Sequence, residues 1–329
     1  MSMNFTTKVI FASYISFSSV TYASSTSALD NAIAVLDSGK TQQAATLFEK
    51  QSDNPKAMLY LAKIYMNSDL DDAEEWIEKA VKAQANDAEA HYIRGAIMGR
   101  QASNSIFSAL SYAEKSQNSF AKAVELEPDS IKYRKGLMQF HTSAPSIAGG
   151  DLKIAKAQVE QIKLLDPKMG LEAEINYELS QDNDALAANL LKQAKLTYQD
   201  IPDFFFLSGI VHQQKENFEA AFEELSLAIG KTAETQESVT AKYNAMYQLG
   251  KTAVLSESNL EEGIKALQLY ILEAPDLDGM SPKDWAEFRL ANLFALNAQK
   301  VQAKEIYQRL AKTENQELAK QAKKAAKRI

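Results

Sequence analysis

The stretch "DFFFLSGIVHQQKENFEAAFEELSLAIG", Asp203 to Gly230, places small side chains at Gly209, Ala221 and Ala228 among large ones. The same order returns in "WAEFRLANLFALNAQKVQAKEIYQRLA", Trp285 to Ala311, at Leu290, Ala291, Phe294, Ala303, Tyr307 and Leu310. Self-similarity of this length marks a chain built from stacked units, each burying surface only against its neighbours. Small side chains where two antiparallel helices cross let the backbones approach, while bulky ones fill the space beside the crossing. The pattern predicts Gly209 facing Ala221 within one hairpin, Ala228 against the first helix of the next, and Leu207 and Leu225 as filling.

Weaker copies keep the order. Gly39, Ala44 and Phe48 with Pro55 form one; Ala62, Tyr65, Ala73 and Ala80 another; Gly95 with Phe120, Ala123 and Pro128 a third. Further copies hold Ala155, Val159 and Pro167; Ala187, Leu191 and Ala194; and Gly250, Gly263, Leu267 and Pro275. Proline at the end of several units suits the pattern, because it cannot continue a helix. In order and recurrence the chain resembles the tetratricopeptide repeat (TPR) family, helical hairpins of about 34 residues. The resemblance implies an all-α fold: a right-handed superhelical solenoid of about eight helix-turn-helix hairpins over residues 29–311, with a C-terminal capping helix over 312–329. Lys320, Lys323, Lys324, Lys327 and Arg328 cluster near the end of that last helix, where cations suit the dipole; a basic tail seeking anionic lipid is the alternative.

Composition agrees. Only 12 Gly and 7 Pro in 329 residues, with abundant Ala, Leu, Lys, Glu and Gln, describe a helix-rich chain with few long turns. A net charge of −7 opposes generic attraction to nucleic acid or anionic membrane. The absence of Cys removes thiol nucleophiles, thiolate zinc sites and disulfides. At the N-terminus Lys8 precedes "VIFASYISFSSVTYA", which ends in small residues and falls short of the roughly 20 apolar residues a spanning helix needs. Residues 1–28 therefore read as a signal peptide and short leader, implying a periplasmic or secreted protein, with a cytoplasmic one as the alternative. No later segment reads as a membrane span.

Two units are irregular, over about residues 88–167. The third carries extra residues in "GRQASNSIFSALSYAEKSQNSF", and the fourth holds "HTSAPSIAGGDLKIAKAQ", His141 to Gln158. A phosphate-cradling loop would need a Gly-x4-Gly-Lys-Ser/Thr string after a strand, and neither is present. Pro145 instead ends one helix, Gly149 and Gly150 permit a turn, and Asp151 caps the next helix. The Ala-Pro-x3-Gly-Gly turn is similar to that of exported bacterial members of the repeat family, an enlarged variant of the hairpin. Insertions in such arrays map to loops on one face and often lie near the binding surface.

Chemistry-bearing motifs are otherwise missing. His91, His141 and His212 fall in three different units without paired ligand spacing, which argues against a metal. The acidic run "SDLDDAEEW" lacks the Gly and terminal Glu of a calcium loop and reads as a polar helix start. No Gly-x-Ser-x-Gly elbow or dinucleotide fingerprint occurs, so neither enzymatic activity nor a cofactor is expected. The aromatics of "DFFFL" divide between core and groove.

The favoured function is that of a non-enzymatic scaffold or adaptor of the cell envelope, binding another protein or an extended peptide in its concave surface. In the family that surface is lined mainly by the first helix of each hairpin. Carried onto this sequence, this implies Tyr92, Arg134, Met138 and His141 centrally, and Phe206, Ile210, Gln213, Tyr247, Lys251, Trp285, Phe288 and Asn292 toward the C-terminus. For each the alternative is packing within the repeat. No complete basic-and-Asn clamp spans three consecutive units, which speaks against a cytosolic co-chaperone. The rival function is a small-ligand or glycan sensor whose pocket is formed by the irregular central units.

Export gives the first test. N-terminal sequencing of the native protein should begin between residues 24 and 29, and an intact Met1 would overturn the assignment.

Overall fold

The computed structural model describes residues 27–277, 279–313 and 315–329, and the apolar N-terminal run lies outside them. Among the described residues the chain is helical, with no strand, and forms eight antiparallel hairpins followed by one helix. They are α1 (Ala28–Asp37) with α2 (Thr41–Glu49), α3 (Pro55–Tyr65) with α4 (Leu70–Ala83), α5 (Ala88–Asn104) with α6 (Ala109–Leu126), and α7 (Ile131–Ser143) with α8 (Leu152–Leu165). The second half comprises α9 (Pro167–Ser180) with α10 (Asp184–Thr197), α11 (Asp203–Gln214) with α12 (Phe218–Ile229), α13 (Gln236–Ser256) with α14 (Leu260–Glu273), α15 (Lys283–Leu296) with α16 (Lys300–Leu310), and the terminal α17 (Gln316–Ala326).

Local chemistry sets these boundaries. The Asp69 carboxylate accepts from the Asp71 and Asp72 amides at 3.0 and 3.1 Å, so the acidic run is the capped start of α4. Ser27 and Asp30 form a reciprocal capping box on α1. In the enlarged turn Ala144 is held extended before Pro145, Gly149 adopts φ +92°, and Asp151 accepts from the Lys153 amide at 2.8 Å. A Cβ on Gly150 would stand 1.8 Å from the Ala144 carbonyl oxygen, so only glycine closes this turn.

The small-residue crossings hold. At Gly209 the nearest neighbour is Leu225, whose Cγ would lie 2.6 Å from an added Cβ. Ala221 is fully buried. Ala228 joins Ala245 and Leu249 of α13 in one cluster, while Leu207 packs backward onto Ile175 and Leu191 of the fifth hairpin. Phe120 fills a notch between Gly95 and Gly136, binding α6 to both α5 and α7. The extra residues of the third unit lengthen α5 and α6 instead of enlarging their loop, which spans only residues 105–108.

Contacts run to the next helix and the one after it, as a solenoid requires. The thinnest joint lies between α10 and α11. Ion pairs fasten it: Lys168 with Asp203 at 2.5 Å, Lys215 with Asp184 at 2.7 Å, and Lys195 with Glu224. At the far end α17 lays Leu318 and Ala322 onto the cluster that holds Leu293 and Tyr307. Among the described residues no helix is long and apolar enough to cross a membrane.

Gly170 on α9 tests the close-approach argument, because an added Cβ would lie 2.4 Å from the Lys163 Cα, which is backbone and cannot swing aside. Gly170→Ala should lower stability in urea unfolding by about 1–3 kcal/mol despite the better helix propensity of alanine. Gly230→Ala, whose Cβ meets nothing closer than 3.5 Å, should leave stability unchanged or raise it slightly.

Candidate partner-binding surfaces

The first helices of a solenoid are flanked by their own partner helix and by the first helices on either side. The consequence for the twelve predicted groove positions is burial. Met138, His141, Gln213, Tyr247 and Phe288 are buried, and Tyr92, Arg134, Phe206, Ile210, Lys251, Trp285 and Asn292 are half-buried.

Most serve the stack. Tyr92 packs between Phe120 and Tyr133, with ring centroids at 5.6 and 5.3 Å. Arg134 donates from Nε to the Pro128 carbonyl at 2.6 Å and from Nη1 to Gln158 Oε1 at 2.8 Å, so its guanidinium lies on its own hairpin. Met138 sits among Ala155, Val159 and Ile162. His141 lies edge-on to Phe140, and burial depresses its pKa against the opposing pull of the Gly149 backbone and Asp151. Gln213 stitches α11 to α13 by donating to the Gln248 carbonyl and Thr252 Oγ1 at 3.2 and 2.8 Å. Phe206 packs against the Leu225 cluster, and Ile210 is half-buried on the same helix. Trp285 and Phe288 meet at 5.8 Å, and Asn292 Oδ1 accepts from the Tyr307 hydroxyl at 2.6 Å. The five buried positions keep little surface of their own, and the hydroxyl of one of them, Tyr247, accepts from Arg289.

One constellation is not absorbed. On α13, Tyr247 and Lys251 are one turn apart, and α15 brings Arg289 against Tyr247. Arg289 Nε donates to the Tyr247 hydroxyl at 2.9 Å, with its guanidinium 5.2 Å over the ring. Neither Lys251 nor Arg289 takes part in an ion pair among the described residues. Burial first, and Arg289 second, hold the Lys251 pKa below its ordinary value. Lys251 and Arg289 thus place two positive charges on adjoining first helices. Sequence reasoning named Lys251 and missed Arg289, although Arg289 lies one turn from Trp285 on a helix already assigned to the surface.

A second concave feature lies where the irregular units meet. An opening of about 830 Å³ runs between α5, α6, α7 and the enlarged turn. Gly99, Ala102, Ala109, Ala113 and Ala144 leave its volume unfilled, with Phe120 and Phe140 among its walls. Among the described residues no group of acidic and histidine side chains could hold a metal ion.

Comparison with known proteins follows these lines. Residues 35–97 match the family model described as Tetratricopeptide repeat. No curated protein sequence matches the chain. Among solved structures, yeast Tom70 superposes with a TM-score of 0.60 at 18% identity, covering 96% of this chain and 67% of that one, which shows a shared fold. A tetratricopeptide repeat protein from Parabacteroides merdae aligns with a TM-score of 0.47 at 11% identity, over 81% of this chain and 97% of the other.

The electrostatics carry a pH signature. A lysine whose pKa is depressed on folding binds fewer protons in the native state, so its penalty is full at neutral pH and is relieved as pH rises through the folded pKa toward 10.5. Urea unfolding of Lys251→Met should show higher stability than wild type at pH 7 and a smaller rise in stability up to pH 10.5. Equal pH profiles would remove the proposed repulsion.

Proposed function

We propose that this chain, a tetratricopeptide-repeat solenoid, is a non-enzymatic scaffold of the cell envelope that holds an anionic, extended segment of a partner protein against the first helices of its last two hairpins. The observation that carries this reading is Arg289 held over the Tyr247 ring, one helical turn from the half-buried Lys251, with neither cation in an ion pair among the described residues. A partner carboxylate placed between them would relieve the repulsion and gain charge-assisted hydrogen bonds, bidentate at the guanidinium. The half-exposed faces of Trp285 and Asn292 lie on the same helix. They supply apolar contact and an amide beside the charges, and binding energy concentrates in a few such residues. Export to the periplasm or beyond is supported by the N-terminal apolar run and its small-residue exit.

A sensor of small ligands or glycans in the opening between α5, α6 and α7 is the second reading, favoured by the concavity there. Its lining is dominated by Ala, Gly and aromatic carbon, with polar side chains such as Ser103, Asn104 and Gln139 in the minority. Glycan hydroxyls require more convergent donors than that, so the peptide reading is preferred.

Crosslinked capture from native envelopes, followed by mass spectrometry, identifies the partner. Binding of that partner's acidic segment as a synthetic peptide should then weaken about tenfold or more in Lys251→Ala/Arg289→Ala, and should weaken with added salt. Arg134→Ala should bind as wild type does. Undiminished binding by the double variant, with an unchanged helical circular dichroism spectrum, removes this surface from consideration.

A further inference from the structure

Among the described residues the link between α5 and α6 carries the most exposed large apolar side chains. Phe107 is 100% exposed and Ile106 87% exposed, at the tip of the longest hairpin. Leu110, half exposed on the first turn of α6, continues the patch, and Ile147 of the enlarged turn adds to it beside Ala148, which lines the opening. Scattered single apolar residues on a surface are ordinary, but a contiguous patch around a concave opening marks an interaction site.

The opening begins at the foot of this tip, where Asn104 and Ala109 flank the link and line the opening together with Ala102 and Leu110. Yet Ile106 and Phe107 are not among its walls. Both are almost wholly exposed on a link of four residues, so they do not fill the cavity of their own chain. A knob without a hole therefore stands next to a hole without a knob.

We propose that two copies of this chain associate about a two-fold axis by exchanging these tips, each Ile106–Phe107 pair entering the opening between α5, α6 and α7 of the other copy. Knob and hole share one patch, so a single axis satisfies both at once, the self-complementarity that a two-fold interface demands. The charges agree. Arg100, in the wall of the opening and donating to Asn67 Oδ1 at 3.1 Å, and Glu114, one turn beyond Leu110, are both exposed and of opposite sign. Neither takes part in an ion pair among the described residues, so the axis can set the arginine of each copy against the glutamate of the other. The tip exposed in one copy becomes the buried centre of the pair. This association is independent of the surface formed by Lys251 and Arg289, four hairpins away.

Sedimentation of the purified chain over a concentration series tests the exchange. A monomer–dimer equilibrium is expected, and the doubly substituted tip, Ile106→Asp with Phe107→Asp, should raise the dissociation constant at least a hundredfold. Ala102→Phe, which fills the hole and leaves the knob, should do the same. Mixing these two variants should restore a heterodimer, weaker than wild type, because one knob and one hole then remain competent. Since the chain has no cysteine, Phe107→Cys and Ala102→Cys chains should crosslink on oxidation only when mixed. Lys251→Ala/Arg289→Ala should dimerise as wild type does, which separates this test from that of the partner surface. A wild type that stays monomeric through the millimolar range, a dimer that survives both substitutions, or tip-dependent binding to phospholipid vesicles in place of self-association would each overturn the proposal. Circular dichroism of every variant excludes loss of fold as the cause.

Discussion

Everything in this molecule rests on how closely two helix backbones approach where one of them carries no side chain. Leu225 seats on Gly209, Leu267 on Gly250, and Phe120 on both Gly95 and Gly136. Each large side chain occupies the volume that the facing residue gives up. Interiors pack to crystal-like density, so such an exchange fixes the crossing of the pair to within a fraction of an ångström. Repeated along the chain, it sets how each hairpin stacks on the last. The core is consequently a string of clusters and not one centre: Phe48 and Leu61 at the start, Ile77 and Ile97 next, and Leu293 and Tyr307 toward the end.

Much of this was legible before any coordinates. The second helices bury a narrow stripe, as in α16 with Ala303, Tyr307 and Leu310 at four- and three-residue steps, and that spacing reads directly as a helix. The turn at Gly149 and Gly150 was equally legible, because proline, glycine and a capping aspartate each have one local use. The first helices were harder. In α15 the buried set Ala286, Phe288, Leu290, Ala291, Leu293 and Phe294 wraps most of the circumference, so a large side chain gives no sign of whether it faces a neighbour or the groove. The family resemblance places Tyr247 and Phe288 in the groove, whereas Tyr270 packs on the first and Trp285 and Tyr307 on the second, each within its own hairpin. The opening in the third and fourth hairpins left even less trace, because it consists of volume that alanines and glycines decline to fill.

Charge is distributed by the same geometry. Some cations on the first helices are answered within the stack: Lys63 by Glu89 at 2.6 Å, Arg94 by Glu78 at 2.8 Å, and Lys135 by Glu172 at 3.1 Å. Such partly exposed pairs contribute little to stability individually. Others bind neutral groups instead, as Arg134 does at the Pro128 carbonyl and Gln158 and Arg289 at the Tyr247 hydroxyl.

The thin joint between α10 and α11 has a mechanical meaning. Helices touch only near neighbours, so tension along the stack loads its joints in series, and the weakest yields before the rest is disturbed. Here the joint combines ion pairs of short reach with one apolar plug, Phe204 seated among Ile175, Leu191 and Ala194. Each hairpin of about 34 residues that unravels can release roughly 110 Å of chain. Tension along the stack would therefore open the chain first where a single buried ring joins the two halves.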